Sequence, residues 1–397
     1  MALSKNFKIL AGLEIGTSKI TVLVGELTNR DITIIGKAEC QSFGVVKGII
    51  TDAKAASNAV HTAIEAAQKS AQIPISEIIL SLSGAHLQGF ATDAVVNVSS
   101  VHNTVTPIDI QTACQIATSK KLPDNRTVVH EIRRPFRLDG QIIANPLNIR
   151  GTRLEANYWI VHGDTHIVSN ILHIIQDYRL PILDLNLASL ASGSMITTPE
   201  DRHHGVLAID IGAGTTDYVL YRNGAPRVTG VVPVGGSHIT NDLMLGLRVT
   251  LGQAETIKLR HGCATLHTRD KASKIWLTGD LGIGDRQLPR QSIEQITSAR
   301  ASEIFEIVRK KLDFEFTPEN TPAGVVLTGG ASKLDGMAAA ATKAFGITAR
   351  LGEFPPYVLD LLRNPGYTTA LGLLFNNAQA AQGHLPKKRK GLWGIFG

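Results

Sequence analysis

The chain has 397 residues, 43% of them hydrophobic and 19% charged, with 37 glycines: an ordinary soluble α/β composition, long enough for two or three domains. Its net charge of +6 is largely local, because Lys387, Lys388, Arg389 and Lys390 form one basic run; the rest is nearly neutral, and no nucleic-acid partner is indicated. Cys40, Cys114 and Cys263 are scattered without CxxC spacing, which fits reduced thiols rather than a disulfide scaffold or zinc site. The amino terminus lacks the apolar core of a signal peptide, and no stretch reaches the roughly 18–20 apolar residues of a spanning helix.

In chain order, residues 7–15, 19–27 and 32–38 read as three strands with short connections. Residues 52–72 carry Val60, Ile64 and Ala67 at helical spacing and are closed by Pro74; 77–83 return to strand. From 84 to 161 the pattern breaks into short strand-like runs at 94–98, 127–132 and 158–161 around one helix, 107–120, with Thr106 as cap and Pro107 in its first turn. This reads as a small α+β insertion. A helix at 165–178, a strand at 182–187 and a small-residue helix at 188–197 follow. Beyond a polar loop holding His203 and His204, residues 206–211, 217–222 and 227–232 repeat the three-strand opening, so the chain carries an internal structural repeat. Helices are expected at 237–249, 252–261 and 291–314, the last with Ile293, Ile296, Ile304, Ile307 and Val308 on one side, and strands with turns over 272–288. Residues 376–386, rich in Ala, Gln and Asn, read as a linker.

Two stretches write one device twice: LEIGTSK at 13–19 and IDIGAGTTD at 209–217. Each is an apolar strand ending in an acid, then Ile-Gly and a turn of small, hydroxyl-rich residues. Such a turn leaves backbone N–H groups free to hold phosphate oxygens, and the acid can hold a hydrated Mg²⁺ against them. Taken singly, either stretch is equally well a strand running into a tight turn. A third element, VVLTGGASKL at 325–334, joins a buried strand to Gly329 and Gly330, which would admit a flat adenine ring, and to Ser332, which could cap a following helix.

The three motifs, in this order and spacing, resemble the actin, heat-shock chaperone and sugar kinase superfamily, and within it the chain is similar to the FtsA family of bacterial cell-division proteins over nearly its whole length. VVPVGGSHITNDL (231–243), AETIK (254–258), NPGYTTALGLL (364–374) and the tail KKRKGLWGIFG (387–397) carry the finer likeness. The resemblance implies an α/β, actin-like two-lobed fold of ribonuclease-H-like repeats, with a small α+β insertion subdomain and a C-terminal amphipathic helix. It divides the chain into a first lobe (1–83), the inserted subdomain (84–161), the first lobe continued (162–197), a second lobe (198–227), its smaller subdomain (228–300), the second lobe continued (301–358), a return to the first lobe (359–376), a linker (377–386) and a membrane-targeting helix (387–397).

The same resemblance implies ATP and Mg²⁺ as cofactors. Asp210 would hold the metal's hydration shell, with Asp217 assisting it or positioning a water. Glu14 stands where most of the superfamily has Asp; being one methylene longer, it would place the metal differently or meet it only through water. Gly16, Thr17, Ser18 and Lys19 would face the phosphates from one lobe, and Gly212, Gly214, Thr215 and Thr216 from the other. Gly235 and Gly236 would open the cleft, Glu255 and Lys258 would reach the ribose, and Gly329, Gly330, Ala331 and Ser332 the adenine. Hydrolysis needs a polar group that orients the attacking water. The segment 182–193, where actin supplies a Gln, offers only Asp184 or Asn186, so slow turnover or none is expected.

By resemblance, the partners are FtsZ, further copies of the chain in a polymer, later division proteins through the inserted subdomain, and anionic lipids at the cytoplasmic face of the bacterial inner membrane at the division site. Arg300 would pair with an acidic FtsZ peptide; the plainer alternatives are a solvated helix face or an intramolecular ion pair. For the insertion the plainer alternative is a stabilising appendage. In the tail, Leu392, Trp393, Ile395 and Phe396 fall within one face of a short helix behind the basic run. Each buried apolar side chain is worth about 1.5–3 kcal/mol and each basic residue near an anionic leaflet about 1 kcal/mol. Gly391 and Gly394 each cost about 1 kcal/mol in a helix. The sum is a moderate, reversible anchor that polymerisation would strengthen; docking of the tail on the protein itself is the alternative. Two other functions stay open on the same fold: a small-molecule kinase of the sugar type, and a membrane adaptor for pilus assembly.

Overall fold

The computed structural model describes residues 8–28, 31–266, 272–279 and 284–381. The first sheet opens with β1 (Lys8–Ile15), β2 (Lys19–Leu27) and β3 (Ile32–Gln41), an antiparallel meander as expected. A small hairpin, β4 (Val45–Val46) and β5 (Ile49–Ile50), leads to α1 (Ala53–Ala71). Asp52 caps this helix by accepting from the Ala55 N–H at 3.0 Å, and Ala56, Ala59, Val60, Ala63, Ile64 and Ala67 form its buried stripe. β6 (Glu77–Leu82) then joins β1 in parallel.

The insertion comprises β7 (Gln88–Asn97), α2 (Pro107–Thr118), β8 (Arg126–Arg133), β9 (Phe136–Leu138), β10 (Gln141–Ile143) and β11 (Arg153–Asp164). Its strands make a separate sheet in the order β10-β9-β11-β7, with β8 also paired to β11, and α2 covers one face over a core of Val105, Ala113, Phe136, Leu154 and Ile160. Both β7 and β11 are longer than the runs legible in the sequence.

The chain re-enters the first lobe with α3 (Thr165–Gln176), β12 (Ile182–Leu187), which completes the sheet order β12-β6-β1-β2-β3, and α4 (Ala188–Ile196). His203 and His204 do not sit in a loop. They end a short helix, α5 (Pro199–His204), which forms because Thr198 and Asp201 cap it reciprocally and Pro199 opens its first turn.

The second lobe repeats the first. β13 (Val206–Ile211), β14 (Thr216–Arg222) and β15 (Ala225–Val232) form the meander, and β18 (Val325–Thr328) and β19 (Ala349–Leu351) add in parallel to give β15-β14-β13-β18-β19. Between them lie α6 (Gly236–Leu247), α7 (Leu251–His261), β16 (Lys274–Leu277), β17 (Arg286–Pro289) and α8 (Arg290–Leu312), and after β18 comes α9 (Met337–Phe345). Along α8, Ile293, Ile304 and Val308 are buried as expected, together with Thr297, Ala301 and Phe305, while Ile296 and Ile307 are half-buried.

The last helix, α10 (Thr368–Ala381), returns to the first lobe, where Ala370, Leu371, Leu373 and Leu374 pack on Leu10, Leu23 and Ile79. It stays helical through residues 376–381, where the sequence suggested a linker, because Ala-rich chain is good helix-forming material and Ala378 is still buried against the lobe. The rest of the linker and the whole tail, with Lys387, Lys388, Arg389, Lys390, Leu392, Trp393, Ile395 and Phe396, lie outside the described residues.

Candidate functional site: twin turns across an acidic cleft

The two motif turns close in the same way. Gly16 N–H donates to the Lys19 carbonyl at 3.0 Å, and Gly212 N–H to the Thr215 carbonyl at 2.9 Å. They also meet each other: a Cβ on Gly214 would collide with the Thr17 side chain, so only glycine lets the second turn close on the first. Gly235 and Gly236 start α6 directly above the second turn, with Gly236 N–H donating to the Gly212 carbonyl and Ser237 N–H to the Ala213 carbonyl, both at 2.9 Å.

Three acids line the floor. Glu14 ends β1, while Asp210 near the end of β13 stands directly opposite Asp217 on β14 in the strand register. Glu14 and Asp210 keep a partial opening to solvent at the cleft, yet their carboxylates are taken out of bulk water. Burial, then the charge of Asp210, lifts Glu14 to about 8. Burial and the same neighbour lift Asp217, 5% exposed, to about 7. Asp210 is raised by burial, against hydrogen bonds from Thr369 and Ser192 and the charge of Lys19.

Glu14 Oε2 and Asp217 Oδ1 are buried without a hydrogen-bond partner. Mutually repelling acids with orphaned oxygens are what a hydrated divalent cation would satisfy. Among the described residues no three His, Cys, Asp or Glu stand close enough to ligate a metal directly. Thr17 meets Gly214 and Thr215 stands by Ser83; Thr216 is buried and donates to the Val234 carbonyl at 2.7 Å, while Ser18 is exposed.

Lys19 turns to Glu39 at 2.7 Å and lies 4.9 Å from the Tyr367 ring centroid. On α7, Glu255 pairs with Lys258 at 2.7 Å, and Lys258 also donates to Thr240 Oγ1 at 2.9 Å and to the Gly236 carbonyl at 3.3 Å. Ala331 lies against Gly236, so Gly236, Lys258 and Ala331 stand side by side.

Gly329, at φ +88°, is tied to this site twice, since a side chain there would meet both the Asp210 carboxylate and the Ile211 backbone. Gly330 faces open space. Ser332 does not cap the next helix. Its hydroxyl donates to the Gly329 carbonyl at 2.7 Å within a 3₁₀ turn, Gly330–Lys333, and α9 begins only after Gly336.

Asp184 and Asn186 lie on β12; Asp184 accepts from the Leu185 N–H at 3.0 Å, and Asn186 is buried. The first-lobe group that reaches Asp217 is Ser83, whose hydroxyl donates to Asp217 Oδ2 at 2.7 Å and stands 3.3 Å from Thr215 Oγ1. Thr369, on α10, donates to Asp210 Oδ2 at 2.9 Å. Neither was singled out from the sequence. Ser83 follows β6 just before Gly84, without the acid and Ile-Gly that mark the twin turns. Arg300 on α8 forms the intramolecular pair: Nε and Nη2 reach the Asp242 carboxylate at 2.6 and 3.0 Å, and Nη1 reaches Glu303 at 2.5 Å.

Duplicated sheets of this order, meeting at facing phosphate-type turns over an acidic floor, define the actin-like ATPase fold. Solved structures agree on the fold. The PilM–PilN type IV pilus biogenesis complex matches with a TM-score of 0.64 at 17% identity, covering 94% of this chain and 98% of that one. MreB5 of Spiroplasma citri bound to ADP matches at 0.56 and 12%, covering 95% and 98%.

The sequence comparisons are narrower. A family model described as cell division protein FtsA matches residues 207–372, and one described as the SHS2 domain inserted in FtsA matches residues 84–162. Cell division protein FtsA of Pseudomonas aeruginosa is 32% identical over 388 residues, covering 96% of this chain and 91% of the relative. The Escherichia coli K12 protein is 33% identical over 379 residues (92% and 90%), and that of Bacillus subtilis 31% over 373 (93% and 83%). The chain belongs to the FtsA family of cell-division proteins. That membership leaves the sugar-kinase and pilus-adaptor alternatives without support of their own.

Proposed function

We propose that this protein binds Mg²⁺·ATP between its lobes, polymerises on the inner face of the bacterial plasma membrane, tethers FtsZ filaments there through its C-terminal segment, and helps to recruit later division proteins through the insertion. One observation carries the nucleotide part: two turns closed by the same bond face each other above three acids, two of which, Glu14 and Asp217, carry orphaned oxygens that ask for a cation. Glu14 and Asp210, assisted by Asp217, would hold the hydrated metal, which supplies charge neutralisation at the phosphates. Thr17, Ser18, Gly214, Thr215 and Thr216 would cradle the phosphates. Gly236, Lys258, Glu255, Gly330 and Ala331 would take the nucleoside, and Lys19 would have to leave Glu39 to reach a phosphate.

Turnover is slow or absent, with ATP acting as a ligand that closes the lobes. No residue of the segment 182–193 offers the Gln that actin uses.

Among the described residues no helix is long and apolar enough to cross a membrane, so attachment would rest on the amphipathic tail. The test is co-flotation with anionic vesicles in the presence of ATP and FtsZ, comparing the full chain with one ending at Pro386. The expected outcome is that the full chain floats and carries FtsZ while the truncated chain leaves both in solution. Both chains staying in solution would remove the tether.

A further inference from the structure

The insertion is attached to the molecule in two ways. Its ends run into the first lobe, at β6 and at Asp164, which caps α3. Its other attachment is non-covalent and crosses to the second lobe. Trp159 of β11 is 9% exposed and lies flat across Gly89 of β7, where any Cβ would collide with the indole. Its Nε1–H donates 3.0 Å to Thr229 Oγ1 on β15. Beside it, Arg134 is 7% exposed, sits 5.6 Å from the Trp159 ring centroid and donates through Nη2 to the backbone carbonyl of Arg227, also on β15. The Arg227 guanidinium turns away to Glu315, at 2.8 and 3.2 Å.

This clasp is unevenly built. Arg134 has no carboxylate at ion-pair distance among the described residues, and its Nε is buried without a partner. Burial, and next the charge of Arg227, hold it down to about 10. A guanidinium in that position is compensated by a ring face and one carbonyl, which is less than water or a carboxylate would supply. Such a contact specifies an arrangement without locking it.

The clasp is also one strand away from the nucleotide floor. Thr229 and Val231 flank Gly230 on β15, and Val231 is the register partner of Asp217. β15 then leads to Val234, which accepts from Thr216 of the second turn. A small, partly open cavity of about 10 Å³ lies where the three parts meet, lined by Leu87 and Val161 of the insertion, Ser189 of the first lobe, and Asp217 and Thr229 of the second.

We infer that the insertion senses lobe closure: the Trp159–Thr229 and Arg134–Arg227 contacts belong to one arrangement of the two lobes, so that nucleotide in the cleft and a protein bound to the insertion are thermodynamically linked. The linkage is reciprocal, and each ligand shifts the affinity of the other by the same factor. It rests on the nucleotide-binding reading above.

The test is hydrogen exchange of the full chain with and without Mg²⁺·ATP, in wild type, Thr229→Val and Trp159→Phe, with nucleotide affinity measured calorimetrically on the same samples. In wild type, ATP should slow exchange both in peptides around the second turn (206–235) and in peptides of the insertion (126–138 and 153–164). Thr229→Val removes one hydrogen bond while keeping shape, and Trp159→Phe removes the same bond together with part of the indole that covers Gly89; neither residue lines the nucleotide site, so both variants should still bind ATP and keep the cleft response. The insertion response should be lost, and exchange there without nucleotide should rise about fivefold. Failure of the wild type to bind ATP would overturn the nucleotide reading and the linkage with it. Binding with no response in the insertion, or with the same response in the variants, would overturn the sensor alone.

Discussion

Two groups of carboxylates withdrawn from water, one in the insertion and one in the cleft, behave in opposite ways. In the insertion, Asp109 is 4% exposed, and burial alone would raise it. Yet it accepts four hydrogen bonds, from the N–H and hydroxyl of Thr106 at 2.8 and 2.7 Å and from those of Ser99 at 3.0 and 2.7 Å, and these hold it down at about 2. In the cleft, Glu14, Asp210 and Asp217 have fewer donors and one another for company, and all three are raised. Burial is common to both; the number of donors aimed at the charge decides the sign. A carboxylate that the fold has satisfied closes a helix, and a group of carboxylates that it has left short marks a place for a cation.

The sharpest way to break this comparison is to neutralise one acid from each region. Asp109→Asn removes charge-assisted bonds that cap α2 and tie it to residue 99, and should cost about 2 kcal/mol at pH 7, read as a lower denaturation midpoint. Because the Asp109 pKa is depressed on folding, its contribution is present above the ordinary carboxylate value and vanishes as pH falls through about 2. Asp217→Asn should do the reverse. It relieves repulsion with Asp210, so the nucleotide-free protein should be at least as stable at pH 8, while Mg²⁺-dependent ATP affinity falls about tenfold, or about 1.4 kcal/mol. If Asp217→Asn unfolds the protein as readily as Asp109→Asn, the cleft acids are structural and the distinction is gone.

A pH series separates the two regions without mutation. Raised acids bind more protons in the native state than in the unfolded one. Their contribution is therefore complete below the ordinary carboxylate range and is lost as pH rises through about 7 for Asp217 and about 8 for Glu14. Between pH 7 and 9 the melting temperature of the nucleotide-free protein should fall by about 2–4 °C, and saturating Mg²⁺·ATP should flatten that slope. His86 and His162 do not interfere, because burial lowers His86 to about 4 and also lowers His162. A slope that is flat without nucleotide would mean that the cleft acids are not raised.

What could be read in the sequence was what lies close together in it. Residues 13–19 and 209–217 announced their turns because strand, acid and glycine are consecutive, and the repeat of sheet order followed from three strands written twice. Ser83 was invisible because its partner lies 134 residues away, as was Thr369, 159 residues from Asp210. The Ser332 cap failed for a related reason. The close approach of Gly329 to Asp210 forces a tight turn right after β18, and the helix has to start later. β7 and β11 were read short because Asp93 precedes the run at 94–98, and Arg153 and Glu155 precede the run at 158–161, polar residues that interrupt an apolar pattern. Of the tail, only the sequence speaks.

Arg300 offers the smallest effect and the finest test, since it inverts the case of the cleft: here a charge proposed for an outside partner is already satisfied within the fold. Its geometry with Asp242 is bidentate and the pair is three-quarters buried, at 24% and 25% side-chain exposure. Because the other guanidinium edge is held by Glu303 at the surface, losing Asp242 alone should cost no more than about 1 kcal/mol. An acidic FtsZ peptide binding through Arg300 must displace Asp242 or share the guanidinium with it. Asp242→Asn should then tighten binding of that peptide several-fold, in a salt-dependent way, and Arg300→Ala should abolish the gain. If Asp242→Asn leaves peptide affinity unchanged while lowering stability, the pair is an internal brace, and the acidic partner is read elsewhere on the second lobe.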